Sequence, residues 1–155
     1  MSKLDDLQEN LQTILIRAVE KGRDMVVDTL KKRIKSGRDE YGGLYGRYSA
    51  SQARRRRKEN LQTEYKDYHY SGSMFDNFDE VNRVSSENHA RIDISFKGAS
   101  KRRSDQKPAS NLDVAKWVTE QQGKKIIQLS DAEKSKIIEA IKQQFKGDVE
   151  HISIT

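Results

Sequence analysis

Apolar side chains recur every three or four residues over the first 35 positions, which is the spacing of one face of an α-helix. Ser2 with Asp5 is typical of a helix start, and Ser36-Gly37 after a basic last turn is typical of a helix end. Gly22 lies near this apolar stripe and predicts a close approach by a strand. The stripe consists of Leu4, Leu7, Leu11, Ile14, Leu15, Ala18, Met25, Val26, Leu30 and Ile34.

A second pattern alternates apolar and polar residues from Ala90 to Phe96 and predicts a strand with one buried face. The segment from Phe78 to Val84 precedes it as the first arm of a hairpin, with the turn in residues 85–89. The final Val149 to Ile154 alternates in the same way. It predicts a third strand that joins the hairpin.

Two helices are predicted between the hairpin and the last strand. The first covers Leu112 to Gln122, starts after Ser110, ends at Gly123 and turns Val114, Ala115, Trp117 and Val118 inward. The second follows the capping sequence Ser130-Asp131-Ala132-Glu133, turns Ile137, Ile138, Ile141 and Phe145 inward, and ends at Gly147. The order α, β, β, α, α, β predicts an α+β fold with a long N-terminal helix and two C-terminal helices packed on a small antiparallel sheet.

The chain of 155 residues fits a single domain, 1–155, and two segments without periodicity, 37–70 and 97–110, are predicted as extended basic loops within it. The first contains all six tyrosines of the chain and a short predicted helix near residues 50–60. Residues 47–66 hold seven Lys/Arg against two Asp/Glu, and residues 97–110 hold five against one, in a chain of net charge +6.

Tyrosines interleaved with arginines predict a contact surface, because planar rings and guanidinium groups suit a partner better than a core. Either this window touches nucleic acid, or neighbouring protein subunits order it. The predicted interface or DNA-facing residues are Arg47, Tyr48, Arg54, Arg55, Arg56, Arg57, Lys58, Tyr65, Tyr68 and Tyr70, with Lys101, Arg102 and Arg103 in the second loop.

Composition argues against most enzymatic chemistry. The absence of cysteine excludes disulfides, thiolate metal sites and thiol nucleophiles. The three histidines are scattered, no phosphate-binding loop follows the glycines at 42–46, and Ser71 lacks the surroundings of a catalytic nucleophile. No apolar run approaches the roughly 20 residues that cross a bilayer. We therefore predict neither enzymatic activity nor a cofactor, a metal or a membrane partner.

Two runs of sequence, Gly46 to Ala50 and Ser71 to Phe78, resemble the middle of tail-completion and head-tail joining proteins of tailed bacteriophages. The stretch from Ala115 through Glu133 is similar to the end of the Mu-like virion morphogenesis proteins in that group. The resemblance implies a structural subunit of a neck or tail-terminating ring, made in the host cytoplasm and carried in the virion. Its implied partners are copies of itself, portal or connector and tail proteins, and DNA held non-specifically in the channel.

Two alternatives remain open. One is a nucleic-acid-binding module in which Arg54 to Lys58 contact phosphates and tyrosines stack on unpaired bases. The other is a protein that pairs with a second chain through the exposed side of its first helix.

Overall fold

The structure is a computed structural model that describes residues 3–68, 73–86, 88–100, 109–123 and 126–150. These residues form α1 (Lys3–Lys35), α2 (Ala50–Lys58), α3 (Ser73–Asp76), β1 (Phe78–Ser86), β2 (His89–Phe96), β3 (Ala99–Ser100), β4 (Ala109–Ser110), α4 (Asn111–Gln122) and α5 (Asp131–Glu150). The predicted α+β fold, with its long N-terminal helix, two C-terminal helices and small antiparallel sheet, is confirmed.

The described strands form two separate two-stranded sheets. In the first, β1 pairs with β2, and the short connection at residues 87–88 allows only an antiparallel hairpin. In the second, β3 pairs antiparallel with β4, with Ala99 opposite Ser110. The segment predicted as an extended loop over 97–110 is therefore paired at both ends, and its middle, 101–108, lies outside the described residues.

The predicted C-terminal strand is wrong where the structure describes it, because α5 continues through Gly147 to Glu150. Side chains one turn apart bridge the glycine: Gln144 Nε2 donates to Asp148 Oδ2 at 3.0 Å, and Lys146 Nζ lies 3.8 Å from Glu150 Oε1. Such pairs offset part of the roughly 1 kcal/mol that glycine costs a helix. Residues 151–154 lie outside the described residues.

Contacts divide the chain into two compact units. Unit A consists of residues 1–28, 80–95 and 131–155, and unit B consists of residues 29–79 and 96–130. The prediction of a single domain over 1–155 stays a prediction.

Unit A packs α1 against α5. Ile14 and Ala18 of α1 and Ile137 of α5 are buried, and a Cβ at Gly22 would lie 2.5 Å from Cδ1 of Ile141. The close approach predicted at Gly22 is confirmed, but the prediction that a strand makes it is wrong. The missing side chain admits α5, because the Ile141 side chain fills that space.

An ion-pair network joins α1 to β1 within unit A. Arg83 contacts Glu20 at 2.6 Å and Glu80 at 2.8 Å, and Arg23 contacts Glu80 at 2.9 Å and Asp24 at 2.7 Å. Hydrogen bonds from Arg83, and then from Arg23, lower the pKa of Glu80 to about 2. Charged side chains therefore link the hairpin to the helix.

Unit B has an aromatic core. Phe75 and Phe78 pack on Phe96, with ring centroids 5.7 Å and 4.7 Å apart, and Leu30 and Ile34 at the end of α1 are buried as well. These residues come from α1, α3 and the base of the hairpin, so their packing holds these three parts of unit B together.

Two apolar side chains predicted to face inward lie at the surface instead. Trp117 of α4 is 54% exposed and Ile138 of α5 is 52% exposed, whereas Ala115 and Ile137 are buried. At 3.6 residues per turn, position 117 lies about 200° around the helix from Ala115, and position 138 about 100° from Ile137. The buried faces are therefore narrower than the apolar patterns that predicted them.

Candidate basic interface

The arginine run of unit B lies on a short helix with well-defined ends. Ser49 caps α2: its Oγ accepts from the Gln52 backbone N–H at 3.3 Å, and Gln52 Oε1 accepts from the Ser49 N–H at 3.2 Å. The helix ends before Asn60, whose φ of 55° is left-handed, and the Leu61 N–H returns to the Arg56 carbonyl at 3.0 Å. The short helix predicted near 50–60 is confirmed.

One arginine of the run points inward. Arg56 is 3% exposed and Asp67 is 5% exposed, and Arg56 Nη2 lies 3.0 Å and 3.2 Å from the two carboxylate oxygens of Asp67. Its Nε donates to the Gln62 carbonyl at 2.7 Å, and its guanidinium lies 4.3 Å from the centre of the Tyr48 ring. We call Arg56, Asp67 and Tyr48 the anchor, because they tie α2 to the segment that follows it.

Asp67 has further support from Tyr48. The Tyr48 hydroxyl donates to Asp67 Oδ1 at 2.7 Å and accepts from the Asp67 N–H at 3.2 Å. Burial, and then the hydrogen bond to Asp67, raise the pKa of Tyr48 to about 12. The phenol therefore acts as a neutral donor to the buried carboxylate over the whole physiological pH range.

Two more tyrosines are packed within unit B. Tyr45 is 7% exposed, and its ring meets the half-buried Tyr68 edge to face at a centroid distance of 5.1 Å. Burial raises the pKa of Tyr45 to about 12 and raises that of Tyr68 also. Tyr45, Tyr48 and Tyr68 form what we call the tyrosine trio.

Most of the described tyrosines of the window therefore make contacts within unit B, and the prediction that the window is a contact surface stays a prediction. The half-buried Tyr65 packs on Gly37, where a Cβ would overlap its ring. Backbone hydrogen bonds hold the same segment, including Tyr45 N–H to the Gly37 carbonyl at 2.9 Å and Lys66 N–H to the Gly46 carbonyl at 2.8 Å. Residues 37–68 are packed within the chain itself.

The other basic residues of the run face outward. Together with Arg47 they form what we call the basic face, which consists of Arg47, Arg54, Arg55, Arg57 and Lys58, all exposed. Arg56 is excluded from it because it is buried against Asp67. Among the tyrosines, Tyr41 is 85% exposed. The predicted contact residues Tyr70, Lys101, Arg102 and Arg103 lie outside the described residues.

A shallow pocket in unit B was not predicted from the sequence. Its volume is about 230 Å³, and it is lined by Lys31, Lys32, Lys35, Asp67, Phe75 and Asp76. Sequence reasoning assigned these lysines only to the basic last turn of α1, and it gave Asp67 no role in the interface. Arg56 lies in α2 and Asp67 lies beyond the end of that helix, so neither helix nor strand spacing in the sequence marks the pair.

Within the described part of the chain, no group of three or more His, Cys, Asp or Glu side chains could hold a metal ion. Nor is any described helix both long and apolar enough to cross a bilayer. No family model, characterised protein or solved structure matches this chain.

Proposed function

We propose that the protein is a structural subunit of a phage neck or tail-terminating ring at the head-tail junction, acting in virion assembly around the DNA channel. The observation that carries the proposal is the basic face, whose exposed cations, apart from Arg47, lie on a short helix held in place by a buried ion pair. Because the ion pair already fixes the backbone of α2, binding a partner through the basic face costs less conformational entropy.

The residues that carry the resemblance to phage joining proteins are also those that build this frame. Ser49 in the run 46–50 caps α2, and Met74, Phe75 and Phe78 in the run 71–78 are buried in the core of unit B. The resemblance thus rests on residues with a structural task. The resemblance therefore concerns how unit B folds, and the proposal takes its function from the family that this pattern resembles.

In the proposed ring, the arginines of the basic face pair with carboxylates of neighbouring subunits or of the portal and tail proteins. Arginine suits this task because its planar group binds a carboxylate through two parallel hydrogen bonds. Exposed aromatic and apolar side chains in unit B, Tyr41, Leu44 and Trp117, are the kind of residue that anchors a protein interface.

A nucleic-acid-binding module is the second candidate, and the same basic face favours it. Arg54, Arg57 and Lys58 would contact phosphates without reading sequence. The tyrosine part of that alternative has less support, because the Tyr48 ring is covered by Arg56 and the Tyr45 ring by Tyr68. Base stacking would require these rings to leave the contacts that hold the window together.

The proposal is tested on particles. An antibody against the purified protein should label the head-tail junction of virions released by cells that carry the gene, as seen by negative-stain electron microscopy. Absence of the protein from purified particles would overturn the proposal.

The alternative is tested by fluorescence anisotropy with labelled duplex and single-stranded DNA at about 50 and 200 mM salt, the range over which phosphate contacts lose affinity. Tight binding that depends on Arg54, Arg57 and Lys58, together with absence from particles, would favour the nucleic-acid-binding module.

A further inference from the structure

The two compact units of the chain carry opposite net charges. Unit A contains ten Lys/Arg against fourteen Asp/Glu, a net charge of −4, whereas unit B contains twenty against ten, a net charge of +10. Unit A is assembled from three separate stretches of chain. Counting charge along the sequence therefore does not reveal the division, which appears only when the folded units are counted.

Most of the cations that the structure describes in unit B are exposed. The buried cation of α2, Arg56, is balanced by the buried carboxylate of Asp67, and the members of the basic face are exposed. On unit A, exposed acids lie on both helices, with the side chain of Asp24 62% exposed, that of Asp131 98% and that of Glu150 66%. Each unit can therefore present its charge to an outside partner.

We propose that copies of this chain associate head to tail, with unit A of one copy against unit B of the next, and with the basic face at the contact. Opposite net charges attract in this arrangement, whereas contacts between two identical units bring like charges together. A head-to-tail contact uses two different surfaces, and repeating it generates a ring when the rotation between copies closes. The inference rests on the proposed ring function and names the surfaces that would build it.

A second copy fits these surfaces better than DNA does. DNA would engage unit B and repel unit A, whose acidic excess would then contribute nothing. Unit A also exposes Val81 and Val84 on β1 and Ile138 on α5, each about half accessible. Apolar side chains among charges are typical of protein interfaces, whereas protein–DNA interfaces are more polar and more positively charged.

The test uses two full-length charge variants that keep Arg56 and Asp67 intact. Variant X reverses the charge of three residues of the basic face in unit B, and variant Y reverses that of three exposed acids in unit A. The substitutions are Arg54→Glu, Arg57→Glu and Lys58→Glu in X, and Asp24→Lys, Glu139→Lys and Glu150→Lys in Y. Because glutamate at the end of α2 opposes the helix dipole, a neutral version of X with glutamine at the same positions is the control for folding, which circular dichroism checks.

Self-association is measured by sedimentation velocity at low and high salt. We expect wild-type association to weaken at high salt, and X and Y alone each to dissociate about tenfold more readily. An equimolar mixture of X and Y should associate like the wild type. When the copies alternate, the reversed unit A of Y meets the reversed unit B of X, and the native unit A of X meets the native unit B of Y. Glutamine-substituted X should lie between X and the wild type.

Three results would overturn the inference. If the wild-type chain remains monomeric at its highest soluble concentration, it has no such contact. The proposed function is then tested separately by labelling of virions. If the wild type self-associates and X and Y self-associate equally well, the contact lies on other surfaces and only the ring proposal stands. If X self-associates like the wild type but no longer binds DNA, the basic face is a nucleic-acid-binding surface.

Discussion

The anchor makes a sharp prediction about two arginines of the same short helix. Arg56→Met should destabilise the protein strongly, whereas Arg54→Met should change its free energy of unfolding by less than about 0.5 kcal/mol, as exposed substitutions usually do. Methionine keeps the length of the side chain and is a comparable helix former. The two variants therefore differ mainly in what the guanidinium contacts.

The magnitude follows from the contacts of Arg56. Its replacement removes hydrogen bonds to Asp67 at 3.0 and 3.2 Å and one to the Gln62 carbonyl at 2.7 Å, and it leaves the carboxylate of Asp67 buried. Breaking a buried ion pair in this way costs about 3–5 kcal/mol. The hydrogen bond from Tyr48 to Asp67 survives the change, so we expect a cost at the lower end, about 3 kcal/mol.

Urea unfolding measures the difference. The chain has one tryptophan, Trp117, which lies in the same unit as the anchor, so its fluorescence reports on that unit, and circular dichroism follows the helices. With a typical slope of about 1–3 kcal/mol per M, a loss of about 3 kcal/mol lowers the midpoint by about 1–3 M urea. Equal midpoints for Arg56→Met and Arg54→Met would refute the buried anchor.

A double variant separates the two causes of that loss. Arg56→Met combined with Asp67→Leu removes the orphaned charge as well as the pair. If the cost comes from leaving Asp67 buried without its partner, the double variant should recover most of the stability lost in Arg56→Met. A double variant as unstable as Arg56→Met alone would instead show that the loss comes from the pair's own contribution and not from the orphaned charge.

Three further predictions concern packing and pH. Gly37→Ala should destabilise the protein by about 2 kcal/mol or more in urea unfolding, because φ is +71° and the new Cβ overlaps the Tyr65 ring. Gly42→Ala, where φ is +81° and no atom lies near the new Cβ, should cost only the backbone strain, and equal losses in the two variants would contradict the ring contact. Gly22→Ala and Ile141→Val should show a coupling energy of about 1 kcal/mol in a double-mutant cycle, and strict additivity would contradict their contact. The tyrosine trio has phenolic pKa values raised above the usual 10, two of them to about 12, so its contribution to stability is complete below pH 10 and lost as pH rises toward 12. Phenolate absorbance should therefore rise together with unfolding, and titration of these phenols before any loss of structure would contradict their burial.

Local signals predicted both ends of α4 because such ends depend on residues close in sequence, but the glycine signal was wrong at Gly147, through which α5 continues. The N-cap of α4 was predicted from Ser110, and the Ser110 Oγ accepts from the Asp113 N–H at 3.1 Å. Its end at Gly123 was predicted from glycine alone, and that residue is left-handed with φ +61°. In both cases the physical cause is contained within one helical turn.

The window from 37 to 68 was predicted poorly because its contacts are long-range and irregular. It is held by single hydrogen bonds between turns, by the approach of Tyr65 to Gly37 and by the pairing of Arg56 with Asp67. None of these contacts produces a repeat in the sequence. A run of four arginines suggests one solvated cationic surface, and nothing in the run distinguishes the arginine that is buried.

The buried arginine changes what the exposed ones can do. If all four lay on a mobile loop, a partner would have to order the backbone and each side chain on binding, at a cost in entropy that offsets much of the electrostatic gain. Because Arg56 fixes α2 to Asp67, the backbone beneath Arg54, Arg57 and Lys58 is already ordered before binding. This preparation serves a carboxylate-bearing protein and a phosphate backbone equally, so the basic face alone does not select between them. The acidic excess of unit A does select, since a second copy attracts both units whereas a polyanion attracts one and repels the other.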